Sequence, residues 1–217
     1  AVGIVASITF FTDRLDSSLV AESKHFLGGD LKYESSSSLD ETAFPEGEYV
    51  YSKVHEFATV LATNNKFQLA SIKSAATPYP LVGEIEILEK NSSKKVYKSP
   101  PNPNEIWLDE RLARLLEVSL GERVSVGEKD FIFNGIIIAE SDRGAGSFAF
   151  APKGIINSLD LQKTNVIKPG SRVRYSYLFK ASSKDLVNLE NYFQEIKKPG
   201  DEIMMPDNEA SPLGRAI

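Results

Sequence analysis

The stretch from Val50 to Ala75, V-Y-S-K-V-H-E-F-A-T-V-L-A-T-N-N-K-F-Q-L-A-S-I-K-S-A, decides the fold. Two runs rich in β-branched and aromatic residues, 50–62 and 66–75, flank the triplet Thr63-Asn64-Asn65. Asparagine tolerates the positive φ angles that tight hairpin turns require. The stretch therefore predicts two long antiparallel strands joined at Thr63-Asn64-Asn65, and so a sheet as the framework of the fold.

On the amino-terminal side, the chain opens with a mostly apolar run, residues 1–11, which is about half of the roughly 20 residues that a membrane helix needs. From Thr12 the apolar residues recur at helical spacing until Gly28-Gly29, where glycine permits a helix to end. No helix-breaking residue separates the two patterns. We expect either the outer end of a membrane helix that continues into an amphipathic helix, or a buried core segment.

Next to this helix, Leu31 and Tyr33 alternate with Lys32 and Glu34, which predicts a short strand. On the carboxy-terminal side of the hairpin, the polar and proline-bearing residues 90–104 predict an internal boundary. Five further strands are predicted at 85–87, 105–108, 123–126, 131–139 and 172–180, and residues 136–138 are expected to be buried on both faces. Three further helices are predicted. The first is capped by Asp109, the second runs from Pro152 to about 161, and the last is capped by Ser182 or Ser183.

Helices and strands are interleaved in this pattern, and several strands come in hairpins. That arrangement predicts an α+β fold with mixed or antiparallel sheets in two lobes.

Composition narrows the function classes. Hydrophobic residues make up 41% of the 217 residues and charged residues 25%, which is ordinary for a globular chain. The formal net charge is −5 and there is no long basic run, so we expect no nucleic-acid partner. There are no cysteines and only two histidines, His25 and His55, far apart in the sequence. We therefore expect no disulfide framework and no histidine- or thiolate-rich metal site.

Sequence motifs for catalysis are also absent. The chain contains no GxSxG elbow, no Walker loop and no GxGxxG motif. We therefore predict no catalytic, cofactor-binding or metal-binding residues and no cofactor.

One glycine-rich loop is a candidate interaction site: Asp142, Arg143, Gly144 and Gly146. Its glycines would let backbone N–H groups approach an anion, to which Arg143 would add charge. The alternative is a tight structural loop in which Arg143 pairs with Asp142 or Glu140. The single tryptophan, Trp107, is expected to serve packing in a core or between lobes rather than to stack on a ligand.

Several stretches, in collinear order over almost the whole chain, resemble the periplasmic domain of MacB/FtsX-type ABC transporter permeases, in particular the YbbP-like members. The segments that carry the resemblance are 6–15, 26–31 (F-L-G-G-D-L), 67–73, 79–83 (Y-P-L-V-G), 105–112, 121–124, 140–146, 151–153 and 169–173. The serine- and lysine-bearing segments 35–38 and 91–98 are poorer in apolar residues than this pattern. The joint between lobes is therefore where the chain is expected to differ.

The resemblance implies a two-lobed MacB-like domain, with a porter-like lobe formed by 1–89 and 176–217 and a Sabre-like lobe formed by 90–175. It also implies a permease of the bacterial inner membrane, joined to the membrane by flanking helices, with this segment in the periplasm. The implied partners are a cytoplasmic ABC ATPase subunit, a second permease copy, and a periplasmic adaptor or an esterase. Such permeases act by mechanotransmission, in export or extraction of hydrophobic or envelope substrates.

Two other function classes stay open at this stage. A free periplasmic substrate-binding or adaptor protein would show an apolar cavity of drug-like size. An enzyme that uses carboxylates would have Glu84, Glu86, Glu140 and Asp142 as its candidates.

Overall fold

The computed structural model describes residues 14 and 18 and the ranges 21–142 and 151–206. The elements in chain order are helix α1 (21–27), β1 (Leu31–Ser35), a short 3-10 helix (Glu41–Ala43), β2 (Tyr49–Ala62), β3 (Phe67–Ala75), β4 (Ile85–Leu88), β5 (Lys94–Tyr97), β6 (Glu105–Asp109), α2 (Glu110–Leu116), β7 (Arg123–Val126), β8 (Lys129–Glu140), β9 (Lys153–Asn157), α3 (Ser158–Thr164), β10 (Val173–Ala181), α4 (Ser183–Ile196) and β11 (Glu202–Met204). The predicted α+β class with a mixed sheet is confirmed.

The hairpin that was predicted from residues 50–75 is the centre of the sheet. β2 and β3 pair antiparallel from Val54↔Ala75 to Ala62↔Phe67. β2 also pairs with β10 along nine residue pairs, from Tyr49↔Ala181 to Phe57↔Val173. Because β2 is 14 residues long, it takes part in two different regions of the sheet.

Six of the strands close into a ring. The pairing runs β2-β3-β9-β6-β8 and returns to β2 through β7. The β3–β9 and β6–β8 pairs are parallel, and the others in the ring are antiparallel. Side chains from all six strands meet inside it, among them Phe57, Ile72, Ile106, Val124, Phe133 and Ile156.

Beyond the ring, the sheet continues as β2-β10-β1-β11, and α4 covers one face of this extension. The second apolar core lies under α4, where Phe193 stacks on Tyr33 with 4.4 Å between ring centroids. A third apolar cluster contains Trp107 and lies on the outer face of the ring, against β4.

Local sequence signals set the helix ends as predicted. The Asp109 carboxylate accepts the N–H of Leu112, and the Ser182 hydroxyl accepts the N–H of Asp185. These bonds satisfy backbone donors that a helix leaves without partners in its first turn.

Two local predictions are wrong. Lys153–Asn157 is strand β9, and the helix begins only at Ser158, because Asn157 caps it and the preceding residues pair with β3 and β6. Ile138 is 44% exposed rather than buried, since only one face of β8 is covered at this point.

The lobe boundaries remain a prediction. The boundary at residues 89 and 90 falls in the connection between β4 and β5, which pair with each other. The boundary at residues 175 and 176 falls inside β10. The strands on both sides of each boundary belong to the same sheet.

In the described part of the chain, no helix has both the length and the apolar character that crossing a bilayer would require. The amino-terminal run for which a membrane helix was expected lies outside the described residues.

Candidate functional site: a buried ionic cluster at the base of the first helix

Helix α1 is fixed to the sheet at its carboxy-terminal end. It ends at Gly28, whose φ of 72° favours glycine. The Gly28 carbonyl accepts the N–H groups of Leu81 and Val82, both at 3.0 Å. One turn earlier, the imidazole Nε2 of His25 lies 2.9 Å from the Ser141 hydroxyl, just after β8. The base of α1 is therefore bound to the segment before β4 and to the end of β8.

Below this base, one face of the sheet carries charged side chains. On β1, Leu31 and Tyr33 point toward α4, so Lys32 points to the opposite face. The same face continues across the sheet, where Arg174 of β10 lies opposite Glu56 of β2, and Glu56 lies opposite Lys73 of β3. The alternation of Lys32 and Glu34 with apolar residues was thus predicted correctly, but this polar face is buried rather than exposed to solvent.

Lys73 is at the centre of this face. Its ammonium donates to Glu140 Oε1 at 2.5 Å, to the Asp142 backbone carbonyl at 2.6 Å and to Asp142 Oδ2 at 3.2 Å. The Tyr79 hydroxyl donates to the same Glu140 oxygen at 2.7 Å. All four side chains are buried, so these contacts replace the solvation that the charges lose.

Further ion pairs surround this centre. Lys32 contacts Asp142 at 2.9 Å and Glu34 at 3.0 Å, and Lys153 contacts Glu140 at 2.9 Å. Arg174 lies between Glu34 and Glu56, at 3.5 Å and 4.0 Å. We call these eight charged side chains the ionic cluster: Lys32, Glu34, Glu56, Lys73, Glu140, Asp142, Lys153 and Arg174. Four positive and four negative charges give it no formal net charge.

Burial and charge act in opposite directions on the pKa values of the two central carboxylates. Burial alone would raise the pKa of Asp142, but Lys73 and Lys32 hold it well below its ordinary value. Burial would also raise the pKa of Glu140, which Lys73 and Lys153 lower. Glu56 differs, because burial outweighs its cationic neighbours and raises its pKa. Asp142 and Glu140 are therefore ionised at neutral pH.

Acid is expected to destabilise the fold through this cluster. A carboxylate with a depressed folded-state pKa stabilises the fold above its unfolded pKa, about 4 for these groups, and that contribution is lost as the pH falls toward the folded value. We expect the free energy of unfolding, measured by urea titration, to fall as the pH drops below about 5. Asp142→Asn should flatten this dependence, whereas Glu48→Gln, at an exposed site, should not. An unchanged pH dependence in Asp142→Asn would contradict the assignment.

The glycine-rich loop that was predicted as an interaction site is only partly described. Asp142 belongs to the ionic cluster and is 2% exposed. Arg143, Gly144 and Gly146 lie outside the described residues, so anion binding by this loop and the pairing of Arg143 both stay predictions.

Trp107 is 3% exposed on the outer face of the ring and packs with Tyr97, at 5.0 Å between ring centroids. Its apolar cluster also includes Leu178 of β10, which the predicted boundaries assign to the other lobe. The inter-lobe role of Trp107 remains a prediction.

The four carboxylates that were considered for an enzyme do not form one group with a common environment. Glu140 and Asp142 are buried and paired with lysines. Glu84 is exposed, and Glu86 pairs with Lys94 at 3.3 Å. The absence of enzymatic activity stays a prediction.

Sequence analysis missed the basic residues at the centre of the cluster. Lys73 and Arg174 lie within strands that were predicted correctly, and Arg174 stands between the apolar Val173 and Tyr175, as solvent-facing residues do. The available signal was that charged residues recur on the same face of several strands of one sheet. The pairing that brings them together is long-range, however, and cannot be deduced from any single strand.

Metal-binding and ligand-binding features are limited in the described ranges. No group of three or more His, Asp or Glu side chains there is arranged to hold a metal ion. A cavity of about 690 Å³ lies at the tip of the β2–β3 hairpin, lined by Thr63, Asn64, Asn65, Leu116, Glu117, Val118, Gly121, Glu122, Arg123 and Ile132. Its lining is mostly polar, in contrast to the apolar cavity expected of a free binding protein.

Comparison with known proteins identifies a similar fold. No family model matches the chain. The periplasmic region of MacB from Actinobacillus actinomycetemcomitans has the same fold, with a TM-score of 0.54 over 91% of this chain and 99% of that one, at 11% sequence identity. The extracellular domain of the ABC-type transporter YknZ from Gram-positive bacteria aligns with a TM-score of 0.42, at 9% identity, over 70% of this chain and 80% of that one. The fold of the chain is thus that of the MacB periplasmic region.

The sequence comparison finds a relative along the whole chain. An uncharacterized ABC transporter permease of Escherichia coli (strain K12), YbbP, is 27% identical over 220 residues, which cover 100% of this chain and 26% of that protein. The chain thus spans about a quarter of the length of this relative. The chain is similar in sequence to this permease and in fold to the periplasmic region of MacB, in agreement with the resemblance described above.

Proposed function

We propose that the chain is the extracytoplasmic domain of an inner-membrane ABC transporter permease and that it transmits movement from membrane helices to the periplasm. In this proposal helix α1 continues a membrane helix and acts as a lever. ATP is hydrolysed by a separate cytoplasmic ATPase subunit, and two permease copies form the working unit. The movement would drive export or extraction of a hydrophobic or envelope substrate.

The single observation that carries the proposal is the attachment of α1. Its last turn is tied through Gly28 to Leu81 and Val82, and through His25 to Ser141. Lys24 also pairs with Asp30 at 2.8 Å, beside the start of β1. A tilt of α1 would therefore displace the sheet directly, with no flexible linker between the helix and the sheet.

The ionic cluster supports the same role. Strand β1 follows α1, and its Lys32 pairs with Asp142, which in turn contacts Lys73 of β3. Buried ion pairs are costly to separate, because each partner would be left as an uncompensated charge. The cluster thus makes β1, β3 and the end of β8 resist relative displacement.

The test interrupts the proposed lever helix at a residue that lies outside the ionic cluster. Ser18 is helical and exposed, so proline at this position would interrupt the helix without touching the ionic cluster. In the full-length permease, purified with its ATPase in nanodiscs, spin labels at Asn64→Cys would report the distance between the two copies. We expect this distance to change between the ATP-bound and nucleotide-free states. Ser18→Pro should abolish the change while ATP hydrolysis continues.

Ser18→Ala is the matched control and should retain the change in distance, because alanine favours helix. Failure of the permease to purify with an ATPase would refute the assignment as a transporter subunit. A distance that changes equally in Ser18→Pro would refute the lever.

A further inference from the structure

The β2–β3 hairpin exposes apolar side chains on its outer face. Leu61 and Ala70, on the inner face, are buried in the core of the ring. Val60, Phe67 and Leu69 point the other way, since successive residues of a strand lie on opposite faces. These three residues are 50%, 77% and 59% exposed. A sheet face that met only water would carry polar residues at such positions.

The three side chains form one continuous patch. Val60 lies directly opposite Leu69, and Phe67 lies two positions before Leu69 on β3, opposite Ala62. Opposite and diagonal neighbours in an antiparallel pair are within reach of each other when one of them is aromatic. We call Val60, Phe67 and Leu69 the hairpin strip. It exposes on the order of 300 Å² of apolar surface, and a patch of that size on a monomer is often an interaction site.

The hairpin strip lies far from the base of α1. Lys73, in the ionic cluster, is six residues further along β3 than Phe67. Because a strand rises about 3.3 Å per residue, roughly 20 Å separate the two residues. In the proposed function, a tilt of α1 would produce a larger displacement at this end of the domain than at the cluster.

Charges next to the strip are balanced. Lys66 precedes Phe67 and pairs with Glu117 at 2.9 Å, and both side chains of this pair are exposed. Glu122 and Arg123 line the adjoining cavity at the hairpin tip. Two positive and two negative charges offer a strongly charged partner no net attraction. A second copy related by a two-fold axis fits this pattern, because the lysine of each copy can face the glutamate of the other.

The size of the strip indicates a partner that is already held close. A stable complex of two free proteins buries about 800 Å² on each side, and the strip offers less than half of that area. In the proposed function, two permease copies are anchored in one membrane. Anchoring raises their effective concentration, so that a small contact is sufficient.

We propose that the hairpin strip is a contact between two copies of the chain, packed strip against strip. This inference rests on the proposed function, because the membrane anchors supply the proximity that the small area requires. The contact is isologous, which means that each copy presents the same three side chains to the other.

Disulfide cross-linking tests the contact, since the chain itself contains no cysteine. Val60→Cys, Phe67→Cys and Leu69→Cys are made one at a time in the full-length permease, with any cysteines outside this chain replaced by serine. Two cysteines are joined only when their Cα atoms lie within about 7 Å. We expect at least one of the three variants to give a linked dimer on oxidation in membranes. Val187→Cys, 54% exposed on α4, is the matched control and should stay unlinked.

A second variant tests whether apolar packing holds the contact. Adding Phe67→Glu to the Val60→Cys or Leu69→Cys variant should lower the yield of linked dimer about fivefold or more, because two carboxylates would then face each other across the contact. Val187→Glu in the same background should leave the yield unchanged. Both positions are exposed, so the melting temperature of the 217-residue chain should change little in either variant.

Three outcomes would overturn the inference. They are the absence of a link at all three positions, a link at Val187→Cys that is equally strong, and a strip cysteine that joins a different protein instead of a second copy. Co-purification of two differently tagged permeases shows separately whether the copies pair at all. Copies that co-purify without a link at the strip refute this inference alone. Copies that do not co-purify refute both this inference and the pairing in the proposed function.

Discussion

Replacing Lys73 with methionine is expected to lower the free energy of unfolding by about 3–5 kcal/mol. Methionine fills a similar volume, so the loss is mainly electrostatic. Glu140 and Asp142 would each lose a cationic partner while remaining buried. Urea unfolding at neutral pH, followed by far-UV circular dichroism, measures the effect.

Two further variants make this prediction specific. Lys66→Met removes a lysine whose pairing with Glu117 is exposed, and should cost less than about 1 kcal/mol. Lys73→Met leaves the ionic cluster with one excess negative charge, and adding Asp142→Asn removes that excess, which should restore part of the lost stability. If Lys73→Met were no more harmful than Lys66→Met, the ionic cluster would not stabilise the fold.

Replacing Phe193 with alanine is expected to cost about 3–5 kcal/mol, because it leaves a cavity in the core under α4. Phe193 is fully buried and contacts the rings of Tyr33, Phe44 and Phe179. Val187→Ala on the same helix, at a position 54% exposed, should change stability by less than about 0.5 kcal/mol.

The same variant tests whether the two lobes fold separately. Trp107 is the single tryptophan and lies away from α4, so its fluorescence reports the other part of the sheet. β2 and β10 contribute side chains to both the ring core and the core under α4. We therefore expect fluorescence and circular dichroism to give coincident transitions in Phe193→Ala. If the Trp107 fluorescence transition of Phe193→Ala kept the denaturant midpoint of the wild type while the circular dichroism transition shifted, the lobes would be shown to unfold independently.

Much of the fold could be predicted from local patterns. The β2–β3 hairpin, the caps at Asp109 and Ser182, and the strand near 172–180 each depend on residues close in sequence. β9 was predicted as a helix because Pro152 is a typical first helical residue. Its strand conformation depends instead on pairing with β3 and β6, which are distant in sequence.

The ionic cluster was harder to predict, for a related reason. A lysine in a strand normally faces water, and Lys32, between Leu31 and Tyr33, and Lys73, between Ile72 and Ser74, would both be placed there. Their burial depends on chain segments elsewhere, around Tyr79 and Asp142, that cover the face. Asp142 was identified as a candidate from its glycine-rich loop, but its partners were not. Individual strands and single residues were therefore predictable, whereas the side on which the sheet would be covered was not.

The strand pairing that closes the ring determines where paired strands are expected to separate first. β7 meets β2 through only two residue pairs, Leu61↔Val126 and Ala62↔Ser125, whereas β2 and β3 share nine. This seam has the fewest paired residues in the ring, so separating it is expected to cost the least. Fluctuations should start there, beside the hairpin tip, while the other end of β2, which is paired with β10, stays firm. Compliance and stiffness are thus placed at opposite ends of one strand.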